Sequence, residues 1–265
     1  MDDYIDPGWQ ITLRALGFAD FQSLWALQAD WFEPPNQRRG GWSGVVRLEA
    51  PGPEGGPSGL FLKRQENHCR RTLAHPIGGE PTFAAEMRNL MAMRAAGVAT
   101  ARPVFFAQRK IDGRWCVVLM TQELLGFRPL DDWMVEWSTS SWHDSVQTRR
   151  RLLAVSAPML RRMHLAGHAH NALHPKHLFV RIDDGGKVEV CLIDLEKMRR
   201  KLLRFRTALR DLDSLNRRSR HWSRTDRLRF LKAYLGTGRL GFRGRLLWRL
   251  LAKRYAAKCG GAGRA

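Results

Sequence analysis

The chain has 265 residues, 44% of them hydrophobic, and a formal net charge of +20, enough for one large domain or a two-lobed one with a substantial core. No stretch approaches the roughly 18 apolar residues of a membrane-spanning helix, and the acidic opening Met-Asp-Asp-Tyr-Ile-Asp is not a secretory signal. Cys69, Cys116, Cys191 and Cys259 are scattered without a C-x-x-C pair, which argues against a disulfide framework or a zinc site; a cytoplasmic protein, soluble or peripherally attached, is expected.

Residues 1–37 carry no pattern that places them and are set aside as an N-terminal extension. Gly40-Gly41-Trp42-Ser43-Gly44 then leads into two short strand-like runs, Gly44–Ala50 and Leu60–Arg64, joined by the turn-rich Pro51–Gly59. Thr82–Ala96 has helical periodicity, with Gly97 as its stop. Pro103–Arg109 and Trp115–Glu123 read as a hairpin closed by Asp112-Gly113. Leu124-Leu125-Gly126 has the look of a hinge. A long amphipathic helix over Arg149–Gly167, containing Pro158, precedes two strands at His177–Ile182 and Val188–Ile193. The remainder reads as helical and basic.

Strand, loop, strand with Lys63, helix with Glu86, hairpin, hinge, histidine-rich loop and a strand ending in Asp194 is the layout of a protein kinase. Phosphoryl transfer asks a protein mainly to position groups and neutralise charge. A lysine in an apolar strand needs an anionic partner; nucleotide phosphates and Glu86 would supply two, so the Lys63 amine and the Glu86 carboxylate are expected to meet. Taken singly, Lys63 reads more readily as a strand-edge lysine reaching for water and Glu86 as an ordinary surface residue; it is their order and distance together that inform. Gly40, Gly41 and Gly44 allow close approach of the backbone to phosphates, although their spacing is not G-x-G-x-x-G. Glu123, at the end of its strand, is a further candidate contact to nucleotide. Asp194, closing an apolar strand, is suited to hold Mg²⁺.

His164, His168, His170, His174 and His177 place five of the nine histidines within 14 residues. Their i,i+4 spacings permit a transition-metal site; hydrogen-bonded structural rings are the plainer reading.

The segments GGEPTFAAEMRNL (Gly78–Leu90), HNALHPKHLFV (His170–Val180) and LIDLEK (Leu192–Lys197) resemble the lipopolysaccharide kinase family of Kdo and core-heptose kinases, and most of all its InaA-type branch. The resemblance spans roughly Arg38–Arg200. It implies an α+β, bilobal protein-kinase-like fold: a small β-rich N-lobe over 38–125, a helical basic C-lobe over 126–258 with the cleft between them, and a disordered tail over 259–265. It further implies ATP and Mg²⁺ as cofactors. The acceptor would be a sugar hydroxyl of the lipopolysaccharide inner core, at the cytoplasmic face of a Gram-negative inner membrane. Lys63 becomes the nucleotide lysine, Glu86 its helix partner, Asp194 a metal carboxylate, and His177 stands where protein kinases carry a metal-binding Asn. His170-Asn171-Ala172 aligns with His-Arg-Asp and departs from it: Ala172 cannot accept a proton. Losing a general base costs about 10² to 10⁴-fold in rate; His170, His174 or Glu196 are the substitutes within reach. A catalytically impaired pseudokinase that binds nucleotide or a partner at the membrane is the alternative.

The positive charge is concentrated. Arg199–Ala265 holds 21 Lys/Arg against three acids, while the preceding 198 residues are nearly balanced. Such a field draws polyanions and decays within about 8 Å at physiological salt. Leu246, Leu247, Leu250, Leu251 and Tyr255 fall at helical spacing between basic residues. They are expected to pack in the C-lobe, while the arginines attract an anionic membrane or glycolipid. Nucleic acid is a third option without a recognisable motif.

Overall fold

The computed structural model describes residues 2–38, 40–72, 75–139 and 142–259. The chain divides into two compact units, residues 1–92 with 101–125 and residues 93–100 with 126–265.

In the first unit the elements are β1 (Tyr4–Ile5), α1 (Gln10–Ala15), α2 (Phe21–Ala26), β2 (Trp31–Arg38), β3 (Gly41–Pro51), β4 (Pro57–Glu66), β5 (Cys69–Thr72), β6 (His75–Pro81), α3 (Thr82–Ala95), β7 (Pro103–Ile111) and β8 (Arg114–Gln122). An antiparallel six-stranded sheet has the order β1-β7-β8-β4-β3-β2, and β5 pairs with β6 as a separate hairpin. The β7–β8 hairpin closes tightly because Asp112 and Gly113 both adopt positive φ, 48° and 78°, the backbone that Asp-Gly favours in a two-residue turn. Helix α3 stops where Gly97 turns left-handed at φ 64° and donates its N–H to Arg94.

Residues 1–37, expected as an extension, belong to this unit. They supply both edge strands of the sheet and bury Trp9, Leu13, Phe21 and Leu24 in the same core as Val46, Leu60, Leu62, Phe105 and Met120. Asp6 pins the start. Fully buried, its carboxylate accepts from the Arg102 Nε at 3.0 Å and the Gly8 N–H at 2.9 Å.

The second unit contains β9 (Arg128–Pro129), α4 (Leu130–Thr139), α5 (Trp142–Leu165), β10 (His168–Ala169), β11 (Leu178–Ile182), β12 (Val188–Leu192), β13 (Arg199–Arg200), α6 (Arg204–Arg218), α7 (Arg224–Leu235) and α8 (Phe242–Cys259). Helix α5 packs on α7 and β12, and α6 packs on α8. Leu152, Leu160, Met163, Leu192, Leu212 and Leu231 form part of its buried interior. The leucines of α8 divide: Leu247 and Leu251, one turn apart, are buried, whereas Leu246 is exposed. Cys259 closes α8 rather than opening the tail; the rest of the tail expected over 259–265 lies outside the described residues. No described helix is long and apolar enough to cross a membrane.

The integration of the N-terminal residues has a measurable consequence. Trp9→Ala should destabilise the protein by about 3–5 kcal/mol, as large-to-small changes at filled core sites do. The denaturant midpoint reads this, and a shift near zero would return residues 1–37 to the status of an appendage.

Candidate active site

In the first unit, side chains alternate across β4, so Lys63 and Gln65 project from the same face. Lys63 Nζ lies 2.6 Å from Glu86 Oε1 on α3, with the glutamate side chain 6% exposed. Gln65 does the companion work. Its buried Oε1 accepts from the Phe83 N–H at 2.7 Å and the Thr82 hydroxyl at 3.0 Å, capping the first turn of α3. Two residues of one strand therefore fix the helix, one at its start and one at its carboxylate.

The glycines divide by role. A Cβ on Gly41 would lie 2.0 Å from the Glu66 carbonyl, and one on Gly44 would lie 2.6 Å from the Trp31 ring. Both are demanded by packing within the sheet. Gly40, at φ 75°, sits in the turn of the β2–β3 hairpin, beside an open depression of about 400 Å³ lined by Arg38, Trp42 and Arg114. Glu123 is placed differently from expectation. Its carboxylate pairs with Arg47 at 2.9 Å and its N–H donates to the Gly59 carbonyl at 2.8 Å. Its carboxylate is thus committed to an arginine and its N–H to the sheet.

In the second unit one carboxylate organises the histidine loop. Asp211 of α6, 1% exposed, accepts from the His170 N–H at 2.6 Å, the Asn171 N–H at 3.0 Å and His164 Nε2 at 3.2 Å. Asn171 is left-handed at φ 62°, and its side-chain amide donates to the Lys197 carbonyl at 2.9 Å. His164 and His168 are used structurally: His164 Nδ1 bonds the Tyr234 hydroxyl at 2.9 Å, and His168 Nδ1 bonds the Ala166 carbonyl at 3.0 Å. Among the described residues no three His, Cys, Asp or Glu side chains form a metal-binding group. The i,i+4 histidine pairs therefore do not make the transition-metal site that their spacing permits.

The other three rings stack. His177 lies between His170 and His174, with centroids 5.6 and 5.2 Å away. His170 Nε2 donates to the Ile193 carbonyl at 3.0 Å, and its Nδ1 is buried without a hydrogen-bond partner. His177 Nδ1 donates to the Ala172 carbonyl at 2.7 Å, which leaves the Nε2 lone pair of the neutral ring facing Asp194 Oδ2 at 3.3 Å. Burial lowers the pKa of both rings, against the pull of Asp194 on each. His174 is pushed down to about 4, by burial first and then by the charge of Arg218. The His177 lone pair and the Asp194 carboxylate are thus two acceptors face to face, a donor set that fits a divalent cation better than an empty contact. Asp194 itself is left-handed, at φ 56° and ψ 59°, a backbone of the kind proteins maintain at functional positions.

Lys63 and Glu86 thus meet in the first unit, and His170, His174, His177 and Asp194 come together in the second. Gln65 and Asp211 are not among the residues that the sequence singles out, although Gln65 carries a usable signal, a second polar residue on the lysine's face of an apolar strand.

The lipopolysaccharide kinase (Kdo/WaaP) family model matches residues 22–234. This chain belongs to that family. Its relatives include protein InaA of Escherichia coli K12, 32% identical over 76% of this chain and 88% of InaA. The lipopolysaccharide core heptose(I) kinase WaaP of Escherichia coli is 25% identical over 89% of this chain and 82% of WaaP. A solved structure, WaaP in complex with acyl carrier protein, shares the fold with a TM-score of 0.70 at 22% identity, covering 97% of this chain and 98% of that one. The kinase-like α/β fold is thereby shown. The family match begins at residue 22, inside the segment set aside as an extension.

Two outcomes follow for this family member. Asp211→Ala strands two loop N–H groups and the His164 ring, each buried donor costing about 1–3 kcal/mol; a destabilisation of at least about 3 kcal/mol is expected by denaturant titration. Acid should also weaken the fold. The unfolded chain protonates His174 near its ordinary 6.5 and the folded chain only near 4, so stability is intact above pH 6.5 and falls between 6.5 and 4. His170 and His177 shift in the same direction. Denaturant midpoints across that window should drop less steeply for His174→Asn; identical slopes would contradict the assignment.

Proposed function

We propose that this chain binds Mg²⁺-ATP and transfers phosphate to a sugar hydroxyl of the lipopolysaccharide inner core. The observation that carries the reading is the Lys63–Glu86 contact of 2.6 Å, supported by the His177–Asp194 pair at 3.3 Å. Lys63 holds nucleotide phosphate, and Glu86 keeps its amine aimed. Gly40 brings main chain close to the phosphates, and Glu123 contributes contact through its main-chain carbonyl, its N–H being donated to Gly59. His177 Nε2 and Asp194 hold the metal. Bound Mg²⁺ supplies neutralisation of the phosphate oxygens as charge shifts in transfer.

Of the rings available to take the hydroxyl proton, His170 is buried, with Nε2 committed to Ile193. His174 is partly open. A pKa of about 4 leaves it neutral at pH 7 and about as basic as an ordinary aspartate, so it can take the proton that Ala172 cannot. The basic C-terminal region draws the protein to the anionic cytoplasmic face of the inner membrane, where such an acceptor is presented.

A second reading is favoured by Ala172. Its side chain is buried with no proton-accepting group, which suits a pseudokinase that binds nucleotide without turnover. Calorimetry with Mg²⁺-ATP, followed by transfer to isolated core oligosaccharide, separates the two. Lys63→Ala should weaken binding at least about tenfold, roughly 1.4 kcal/mol, and Asp194→Asn should abolish transfer. Binding without any phosphorylated sugar from the wild type would leave the pseudokinase; no binding at all would remove both.

A further inference from the structure

The loop after the Asp194 strand exposes apolar side chains that the fold does not use. Leu202 is 95% exposed, Leu203 62% and Phe205 47%. Single exposed apolar residues are ordinary on protein surfaces, whereas contiguous ones mark interaction sites. Here three of four consecutive positions are exposed and apolar, within the sequence Arg199-Arg200-Lys201-Leu202-Leu203-Arg204-Phe205-Arg206, which has five cations and no acid. Phe205 extends the buried Ala208–Leu212–Leu215 stripe of α6 one turn past its packed part; Leu202 and Leu203 precede the helix and stand in solvent.

We propose that Arg199–Arg206 is a membrane-insertion element, which places Leu202, Leu203 and Phe205 among the acyl chains of an anionic bilayer while the flanking cations meet its headgroups. Apolar side chains that protrude, rather than line a groove, suit a fluid surface, and flanking cations without acids select an anionic one; Arg199 is the exception among them, its guanidinium donating to the Glu196 and Met198 carbonyls. A nucleic acid would engage the cations and gain little from two exposed leucines.

The segment is also held firmly to the histidine loop. Arg199 and Arg200 pair with Ala169 and His168, and the Lys201 N–H donates to the Gly167 carbonyl at 2.7 Å. An insertion at Leu202 therefore sets His170–His177 beside the headgroup layer, where a glycolipid presents its sugars. This inference deepens, and rests on, the membrane-contact reading above; it is independent of whether phosphate is transferred.

The test is co-flotation of the full chain with phosphatidylcholine vesicles, with and without phosphatidylglycerol, in the absence of nucleotide. The wild type should float only with the anionic vesicles. Leu202→Ser/Leu203→Ser/Phe205→Ser should reduce its partitioning at least about tenfold with the thermal midpoint unchanged. Phe242→Ser/Leu246→Ser, on the exposed side of α8, should stay within about twofold. Leu203→Trp gives a second measurement: its emission should shift to the blue on anionic vesicles. Undiminished flotation of the triple variant, or no shift for Leu203→Trp, overturns insertion and leaves attraction by charge. Failure of the wild type to float, including the case in which it binds RNA instead, overturns this inference and the membrane-contact reading while leaving Mg²⁺-ATP binding untouched.

Discussion

A single carboxylate holds the histidine loop of the second unit in place. The loop from His170 to His174 has no regular structure, so its backbone donors need partners from elsewhere. Asp211 meets two of them, at 2.6 and 3.0 Å, and fixes the His164 ring at 3.2 Å. His170, so positioned, bonds the Ile193 carbonyl, the residue immediately before Asp194. The path from α6 to the Asp194 carboxylate thus runs through one side chain and one imidazole. Position 172 enters this arrangement through its main chain alone. The residue there contributes its carbonyl to His177, while Asp211 carries the loop.

Charge sorts the molecule in a second way. The acids that remain in the last quarter are Asp211, Asp213 and Asp226, all buried and all in use. Asp226 completes a capping box with Ser223 at the start of α7, and Asp213 pairs with Arg217 at 3.2 Å. The surplus cations are consequently on the surface, where they act as a field rather than as structure. Arg227 is an exception, with its guanidinium bonded to the Ser219 carbonyl at 2.7 Å and lying over the Tyr255 ring.

Much of this was legible in the residues. Lys63 and Asp194 stand out because an ionisable group in, or closing, an apolar strand breaks a pattern, whereas Glu86 is legible only beside Lys63 in the order of the elements. Asp112-Gly113 names its own turn. The edge strand Trp31–Arg38 was not legible, for a physical reason: every residue in it is exposed, so no alternation marks it, and Pro34-Pro35 falls at a break in its register with β3, where a missing donor does no harm. Asp211 was hidden differently. It lies among arginines on a helix that looks like a solvated face, and two of its partners are backbone N–H groups, which leave no trace in side-chain identity. Glu123 shows the converse: a residue read as a nucleotide contact whose carboxylate pairs with Arg47 of β3, a strand separated from β8 by β4.

The central claim is that the His177 imidazole and the Asp194 carboxylate share a nucleotide-bound cation. Substituting Mn²⁺ for Mg²⁺ with ATP and recording the histidine ring resonances of ¹⁵N-labelled protein tests it at the atom concerned. The account predicts that His177 Nε2 broadens away at substoichiometric Mn²⁺-ATP, while the His164 signals, held by Tyr234 and Asp211, persist. Nucleotide binding with the His177 signals unaltered would contradict it.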